Sequence, residues 1–350
     1  MSNFLVSSLS LSGAPRASIA RVQQELMIAQ KEIATARYDD VGKSLGISVE
    51  RTITMRAEVS NRERLMNTNT VMGQRFETMQ AVLGTIADTG DNLLASLISS
   101  SAADQAARAN KQVASASISQ IIGGLNGNFG SRYIFSGAAT DTPPMKPDIF
   151  KDFETSVASG LVDTAWNTFV AANAGGDPAQ VTAAQMENFL QNDFENLFSD
   201  ANWAANWSNA SDSDATSRIG DNDYIQSSVS ANDESFRNVV KSSVMLSKFG
   251  GDYLNDEARQ VLTSTSIESL SKGLSQLTDL RSEIGLRQER VSMANDGLKV
   301  QQRVLEIAIQ EEEEVDVYEA KIRIDGLMNT LEMSYSLTAR MSRMSLLNYL

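Results

Sequence analysis

Residues 267–312 read IESLSKGLSQLTDLRSEIGLRQERVSMANDGLKVQQRVLEIAIQEE, and this stretch decides the fold. A large apolar residue recurs in it every seven positions: Leu270, Leu277, Ile284, Val291, Leu298 and Leu305. A strict seven-residue repeat is typical of a long helix with one apolar seam that faces partner helices. At 1.5 Å per residue this helix would be about 69 Å long. The sequence therefore predicts an elongated protein.

The N-terminal third carries patterns that match this helix. Apolar residues alternate in steps of three and four through Ile19, Val22, Leu26, Ala29, Ile33 and Ala36, and again through Met72, Phe76, Met79, Leu83, Ile86, Leu93 and Leu97. The prolines leave the stretches 16–142 and 179–350 without the strongest helix breaker. We predict a mainly α protein, an elongated antiparallel helical bundle or coiled coil built from the N- and C-terminal segments. Between them we expect a small irregular α+β middle domain.

The composition argues against enzyme chemistry. The chain has no histidine and no cysteine, so it lacks the usual neutral-pH base, the commonest metal ligand and a thiolate nucleophile. Two acidic clusters, Asp212-x-Asp214 and Asp221-x-Asp223, lack the glycine that an EF-hand calcium loop needs at its sixth position. We therefore expect no catalytic residue, no cofactor, no bound metal and no enzyme activity.

Charge and hydropathy limit the partners and the location. The net charge is −14, and residues 141–256 hold 18 acidic against 6 basic residues, so no basic stripe is available for nucleic acid. No run of apolar residues is long enough to span a membrane. The first residues, MSNFLVSSLSLSGAPR, lack the charged start and the apolar run of a secretory signal peptide. This fits either a cytoplasmic protein or one exported with its N-terminus uncleaved.

Two interruptions fall at similar distances from the ends and suggest boundaries. Tyr38–Gly42 and Gly46 break the first helical pattern, while Glu311–Glu314 break the last and the seven-residue register places Glu312 in the seam. A run of glutamates is either a solvated face or, beside a matching break, the border of a separate terminal layer. We expect two terminal assembly helices at 1–42 and 313–350, bundle helices at 43–140 and 251–312, and an acidic middle domain at 141–250.

Other patterns predict local features. The terminal apolar stripes are too small to fold alone, so we expect the ends to fold on assembly. Arg287 and Gln301 beside the seam either line a half-exposed edge or set register with a neighbouring subunit. Arg132–Phe135 and Tyr224–Ser230 could pair as short strands. The three tryptophans, Trp166, Trp203 and Trp207, predict a small satellite core in the middle domain.

Particular motifs resemble a known family. The motif Tyr133, Ile134, Phe135, Ser136, Gly137, Thr140, Thr142, Pro143 and Pro144, with Arg132 before it, is similar to one found in the hook-filament junction proteins of the flagellin superfamily. Residues 345–350, SLLNYL, resemble that family's ending, and Asp39-Asp40-x-Gly42 is a weaker echo of the superfamily. The resemblance covers roughly residues 1–145 and 220–350, and hardly touches 150–217.

The resemblance implies a secreted structural protein, extracellular in the bacterial flagellum, that joins the hook to the filament. The implied partners are the first hook-associated protein, flagellin, further copies of itself in a ring, the flagellar type III export apparatus and an export chaperone. The implied assembly residues are Ile19, Val22, Leu26, Ile33, Leu327, Leu331, Tyr335, Leu346, Leu347, Tyr349 and Leu350. Two alternatives stay open, flagellin itself and a cytoplasmic coiled-coil scaffold.

Overall fold

The computed structural model describes residues 8–99, 104–251 and 253–347, with side chains over 16–99, 107–251 and 253–340. Helices make up most of this part of the chain. They are α1 Ser8–Thr35, α2 Val41–Leu45, α3 Val49–Ser99, α4 Asp104–Leu125, α5 Pro147–Lys151, α6 Val157–Asn173, α7 Ala183–Phe189, α8 Asp200–Asn206, α9 Glu234–Phe249, α10 Asp256–Glu313 and α11 Val317–Leu347. The predicted class, mainly α with a small α+β part, is confirmed.

The strands form two short antiparallel hairpins. Strand β1, Asn128–Phe129, pairs with β2, Arg132–Tyr133, and β3, Thr216–Arg218, pairs with β4, Tyr224–Gln226. The two segments predicted as strands therefore each pair with a neighbour in sequence rather than forming one hairpin together. Only an isolated bridge between Ser136 and Ser230 joins them among the described residues. The reason is that short turns place the local partners within reach at little entropic cost.

The chain divides into two compact units. Unit 1 comprises Met1–Arg64 and Leu298–Leu350, and unit 2 comprises Leu65–Gly297. Helices α3 and α10 contribute residues to both. None of the described helices contains an apolar stretch of the length that a bilayer requires.

Four helices form the framework of unit 2. Gly90 on α3 lies against α10, where an added Cβ would come within 2.7 Å of Leu274. Gly273 on α10 allows a similarly close approach of α9, with 2.8 Å left to Val239. Helix α4 packs along α9. Glycines at these crossings bring the backbones together, and a side chain there would force them apart.

One hydrophobic core fills unit 2. It contains the seam residues Leu270, Leu277, Ile284 and Val291 together with all three tryptophans. Trp203 and Trp207 stack at 5.4 Å between ring centroids, and Trp166 packs against Phe249 of α9 at 4.9 Å. The predicted satellite core is therefore wrong. The aromatic residues of the middle segment continue the helical core because α9 belongs to both.

Arg287 is accounted for within unit 2. Its guanidinium donates to Ser228 O at 3.2 Å, to Gln226 Oε1 at 2.8 Å and to Glu283 Oε1 at 2.6 Å. These bonds hold strand β4 on α10 and satisfy a nearly buried charge. In unit 1, Gln301 accepts a hydrogen bond from Arg62 Nε at 3.1 Å. Both polar residues are thus bonded inside their own chain, and neither needs a neighbouring subunit to explain its presence.

Candidate assembly surface on the terminal helices

Helices α1 and α11 of unit 1 pack on each other. Three hydrogen-bonded pairs show their relative direction: Gln23 with Tyr335, Glu32 with Arg323, and, just beyond the helix ends, Ala36 with Val315. The residue number rises along α1 as it falls along α11. The helices are therefore antiparallel. The sequence predicts that the ends fold on assembly, and in this structure the two ends pack on each other. Small residues make this possible, because Ala29 and Ala320 are fully buried and let the helices approach closely.

The two chain breaks lie side by side. Helix α1 ends at Thr35, and Ala36 adopts a left-handed backbone with φ of 53°, which stops the helix. Helix α10 ends at Glu313, and α11 begins at Val317. Tyr38 N donates to Glu313 O at 3.2 Å and Val315 N donates to Ala36 O at 3.1 Å. The breaks therefore bond to each other as a short antiparallel bridge.

A buried carboxylate holds this bridge. Glu313 has a side chain only 3% exposed. It accepts hydrogen bonds from Arg56 Nε to Oε1 at 3.2 Å and from Arg56 Nη2 to each of its two oxygens at 2.8 Å. Arg37 Nη2 lies 2.6 Å from the same carboxylate. Bidentate arginine bonds of this kind are among the strongest polar contacts in proteins. The expectation that Glu312 occupies the seam is wrong by one residue, since Glu312 is half-buried and pairs with Arg51 at 2.9 Å.

A second buried carboxylate lies on α1. The Glu32 side chain is 4% exposed and accepts from Arg323 Nη1 at 3.0 Å and from the backbone N of Asp39 at 3.2 Å. Glu32 thus links α1, its own break and α11. Sequence reasoning missed Arg37, Arg56, Glu32 and Arg323, because isolated charges in polar stretches carry no spacing signal. We call Glu32, Glu313 and their three arginines the charged clasp.

The predicted assembly residues divide into covered and uncovered sets. Val22 is buried, Ile19, Leu26, Ile33, Leu327 and Leu331 are half-buried, and Tyr335 is half exposed. Leu346 and Leu347 lie in α11 but their side chains are outside the described residues, as are Tyr349 and Leu350. The half-buried residues are those that face between the two helices. The packing of α1 on α11 therefore uses much of the predicted set.

Large apolar side chains remain uncovered on α11. Tyr318 is 83% exposed, Ile322 73% and Met333 66%. All three lie on the side of α11 opposite Ala320 and Leu331. Val317, Met328 and Leu337 are exposed too, as is Met27 on α1. Apolar side chains on a second side of a helix need a second neighbour to bury them. This uncovered face is a candidate surface for further subunits.

The remaining seam residues of the predicted set lie where α3 runs along α10. Leu298 in unit 1 is 3% exposed, and Leu305 is half-buried. In unit 2 the other four, named above with the core, are buried. The seam is therefore covered over most of its length by residues of the same chain, unlike α11.

The motif Tyr133 to Pro144 lies inside unit 2 and serves the fold. Ile134, Phe135, Ser136, Gly137 and Pro144 are buried, Tyr133, Thr140 and Pro143 are half-buried, and Thr142 is exposed. Gly137 has φ of 62°, and a Cβ there would lie 2.2 Å from Ser211 O. Phe135 O accepts from Ala231 N at 2.7 Å, and Ser136 Oγ donates to Thr142 O at 2.8 Å. The motif thus fastens the loop after α4 to the segment before α9.

No three carboxylates within the described residues are arranged to hold a metal ion. Asp212 instead accepts from Asn232 Nδ2 at 2.6 Å, and Asp223 pairs with Arg290. These carboxylates have protein partners.

Comparisons with known proteins agree with this geometry. The model for the bacterial flagellin N-terminal helical region matches residues 6–140, and the model for the C-terminal helical region matches residues 267–350. Comparison with curated protein sequences gave no match. A solved structure described as a flagellar hook-associated protein from Vibrio parahaemolyticus is 9% identical, with a TM-score of 0.52 over 78% of this chain and 98% of that one.

A crystal structure of FlgL from Bacillus cereus is 11% identical and covers 75% of this chain and 97% of that one, but its TM-score of 0.38 supports no inference. The likeness to the Vibrio protein concerns the fold. The two family models together cover more than half of the sequence and include α1, α11 and the charged clasp. This chain belongs to the flagellin family.

Proposed function

We propose that the protein is a structural subunit of the bacterial flagellum that joins the hook, through the first hook-associated protein, to the flagellin filament. The observation that carries the proposal is the uncovered apolar face of α11, centred on Tyr318, Ile322 and Met333. Burying such side chains is worth about 1.5 to 3 kcal/mol each. Contact with neighbouring subunits would recover this free energy.

The charged clasp supports an assembly role for the ends. It fixes α1 and α11 at a defined border, so that the pair reaches its neighbours already formed. Preorganisation of this kind lowers the entropy lost on binding. In the proposed layers, residues 1–42 and 313–350 form the inner assembly helices, 43–140 and 251–312 the bundle, and the acidic segment 141–250 faces outward.

The junction role in particular is supported by the motif at residues 132–144 and by the resemblance of residues 345–350. The solved structure with the same fold is described as hook-associated, which agrees with this proposal. The proposed partners are the first hook-associated protein, flagellin, copies of the same chain in a ring, and the type III export apparatus with an export chaperone. The proposed location is the outside of the cell, at the proximal end of the filament.

Flagellin itself is the second candidate, because the family models that match describe flagellin regions. The two candidates differ in what the ends bind. A filament subunit must add to its own kind without limit, whereas a junction subunit must bind unlike neighbours on its two sides. Self-polymerisation therefore separates them.

Cells that lack the gene test the proposal directly. We expect them to build hooks and to release flagellin into the medium, because the layer that receives filament subunits is missing. Antibody labelling of normal flagella should place the protein in a narrow band where the hook meets the filament. Normal attached filaments in the deletion strain would refute the junction role.

A purified-protein assay completes the test. Under conditions in which flagellin polymerises, the isolated chain should form no long filaments by electron microscopy. Long homopolymers would favour flagellin instead. Labelling along the whole filament would support the same conclusion.

A further inference from the structure

Two arginines of unit 2 lie close together. Arg75 is on α3, and Arg132 is on strand β2 of the first hairpin. Arg75 Nη2 approaches Tyr133 O at 3.4 Å, a long hydrogen bond that holds the guanidinium against the hairpin beside Arg132. Arg75 is half-buried and Arg132 is exposed.

Neither arginine has a carboxylate partner among the described residues, and the buried Nε of Arg75 donates to no acceptor there. Three other arginines of unit 2 have carboxylate partners: Arg237 pairs with Asp200, Arg287 with Glu283, and Arg290 with Asp223. The chain has 44 acidic and 30 basic residues. Carboxylates are therefore in surplus, and still none lies beside this pair.

The arrangement is costly for the isolated chain. Burial lowers the pKa of the Arg75 guanidinium, and the positive charge of Arg132 lowers it further. Both effects disfavour the charged form. A carboxylate placed between the two would offset both, and the planar guanidinium fork is suited to bind one in two-point fashion.

We propose that Arg75 and Arg132 form a docking site for carboxylate side chains from a second copy of this chain. Charge complementarity identifies the occupant, since residues 141–256 of the same sequence hold 18 acidic against 6 basic residues. On a chain of net charge −14, a local positive site gives two like-charged copies an attractive contact and fixes their register. The inference rests on the proposed function, because it requires copies that stand side by side in the flagellum.

The experiment uses the absence of cysteine from the chain. Ser131→Cys, exposed in the turn next to Arg132, gives a unique attachment point for a benzophenone maleimide. The labelled protein is assembled into flagella of the deletion strain, illuminated, and its adducts are mapped by mass spectrometry. We expect adducts between two copies, with the captured peptide inside residues 141–256.

Arg132→Glu should lower the yield of these adducts by roughly tenfold or more, because it replaces attraction by repulsion at the site. Arg281→Gln, which removes an exposed arginine elsewhere in unit 2, should leave the yield unchanged. Arg132 is exposed, so we expect both variants to keep the melting temperature of the parent. Arg75→Gln is a second variant for the same measurement of adduct yield, used in chains shown to be folded.

Three results would overturn the inference: adducts only to another flagellar protein, adducts to a copy outside residues 141–256, or a yield that Arg132→Glu leaves unchanged. Each can occur while the protein is found at the hook-filament border, so the proposed function survives them. Absence of the labelled protein from flagella would instead remove the proposed function, and this inference with it.

Discussion

The two units treat their large apolar residues in opposite ways. In unit 2, Phe189, Trp203 and Leu277 are fully buried, and the aromatic rings of residues 153–249 pack on one another. In unit 1, the large apolar residues Tyr318 and Ile322 of α11 are mostly exposed. Helical patterning thus specifies that a face will be covered. It does not specify whether the same chain or another one covers it.

The largest expected effect is in unit 2. Leu277→Asp places an unpaired charge in the core, at a cost of several kcal/mol against a typical stability of about 5 to 15. In circular dichroism we expect either loss of cooperative unfolding or a melting temperature lowered by about ten degrees or more. Leu286→Asp is the matched control on the same helix, where the side chain is 73% exposed. Equal melting temperatures for the two variants would contradict a sealed core.

A smaller effect is expected in the charged clasp of unit 1. Glu313→Gln leaves Arg37 and Arg56 without their shared carboxylate, and since both arginines are about half exposed we expect a cost of about 1 to 2 kcal/mol. Hydrogen exchange should speed up in α1 and α11 and stay unchanged in α4 and α9. Glu311→Gln, at an exposed position of the same run, is the control. Faster exchange in both units would show that the clasp is not local.

The stability of unit 2 should also depend on pH through one ion pair, Glu234 with Lys272. A hydrogen bond from Lys272 lowers the pKa of Glu234 in the folded state. A lowered carboxyl pKa stabilises the fold above the unfolded pKa, near 4.3, and the gain is lost as pH falls through the folded pKa. Because the pair is exposed, Glu234→Gln should cost at most about 1 kcal/mol at pH 7.

In urea unfolding, this difference between Glu234→Gln and the parent should shrink as the pH falls below the unfolded pKa, and vanish once the carboxyl is protonated in the folded state too. Glu257→Gln is the control, since Glu257 is also exposed in the first turn of a helix. A difference that persists in acid would argue against the ion pair as its cause.

The smallest change in stability is expected where the uncovered face is altered. Tyr318→Ser with Ile322→Ser should change the free energy of unfolding by less than about 0.5 kcal/mol per site, because these side chains are already in solvent. Attachment of filaments should nevertheless be lost in complemented cells. Phe150→Ser with Val157→Ser, exposed in the middle segment, should keep filaments attached. Normal attachment in the first variant would remove the role proposed for α11.

Periodic features of the fold were predictable from the sequence, and long-range polar contacts were not. The helices, the breaks near residues 38 and 314 and the mainly α class follow from spacing, because side-chain direction repeats every 3.6 residues. The clasp could not be predicted, since Arg56 and Glu313 are 257 residues apart and neither lies in a motif. The pairing of the strands was missed because short segments carry little information about their partners. The resemblance identified the family, but not which residues of α11 stay uncovered.

The pairing of α1 with α11 has a consequence for the order in which the protein matures. Gln23 and Tyr335 are separated by 312 residues, and Glu32 and Arg323 by 291. Contacts between such distant positions form late, because most of the chain must be in place before they can close. The core of unit 2 can form earlier, since its residues lie nearer to one another along the chain than those of α1 and α11 do. A chain that stops before residue 315 lacks α11. If α11 binds neighbouring subunits as proposed, only the finished chain carries the surface for joining them.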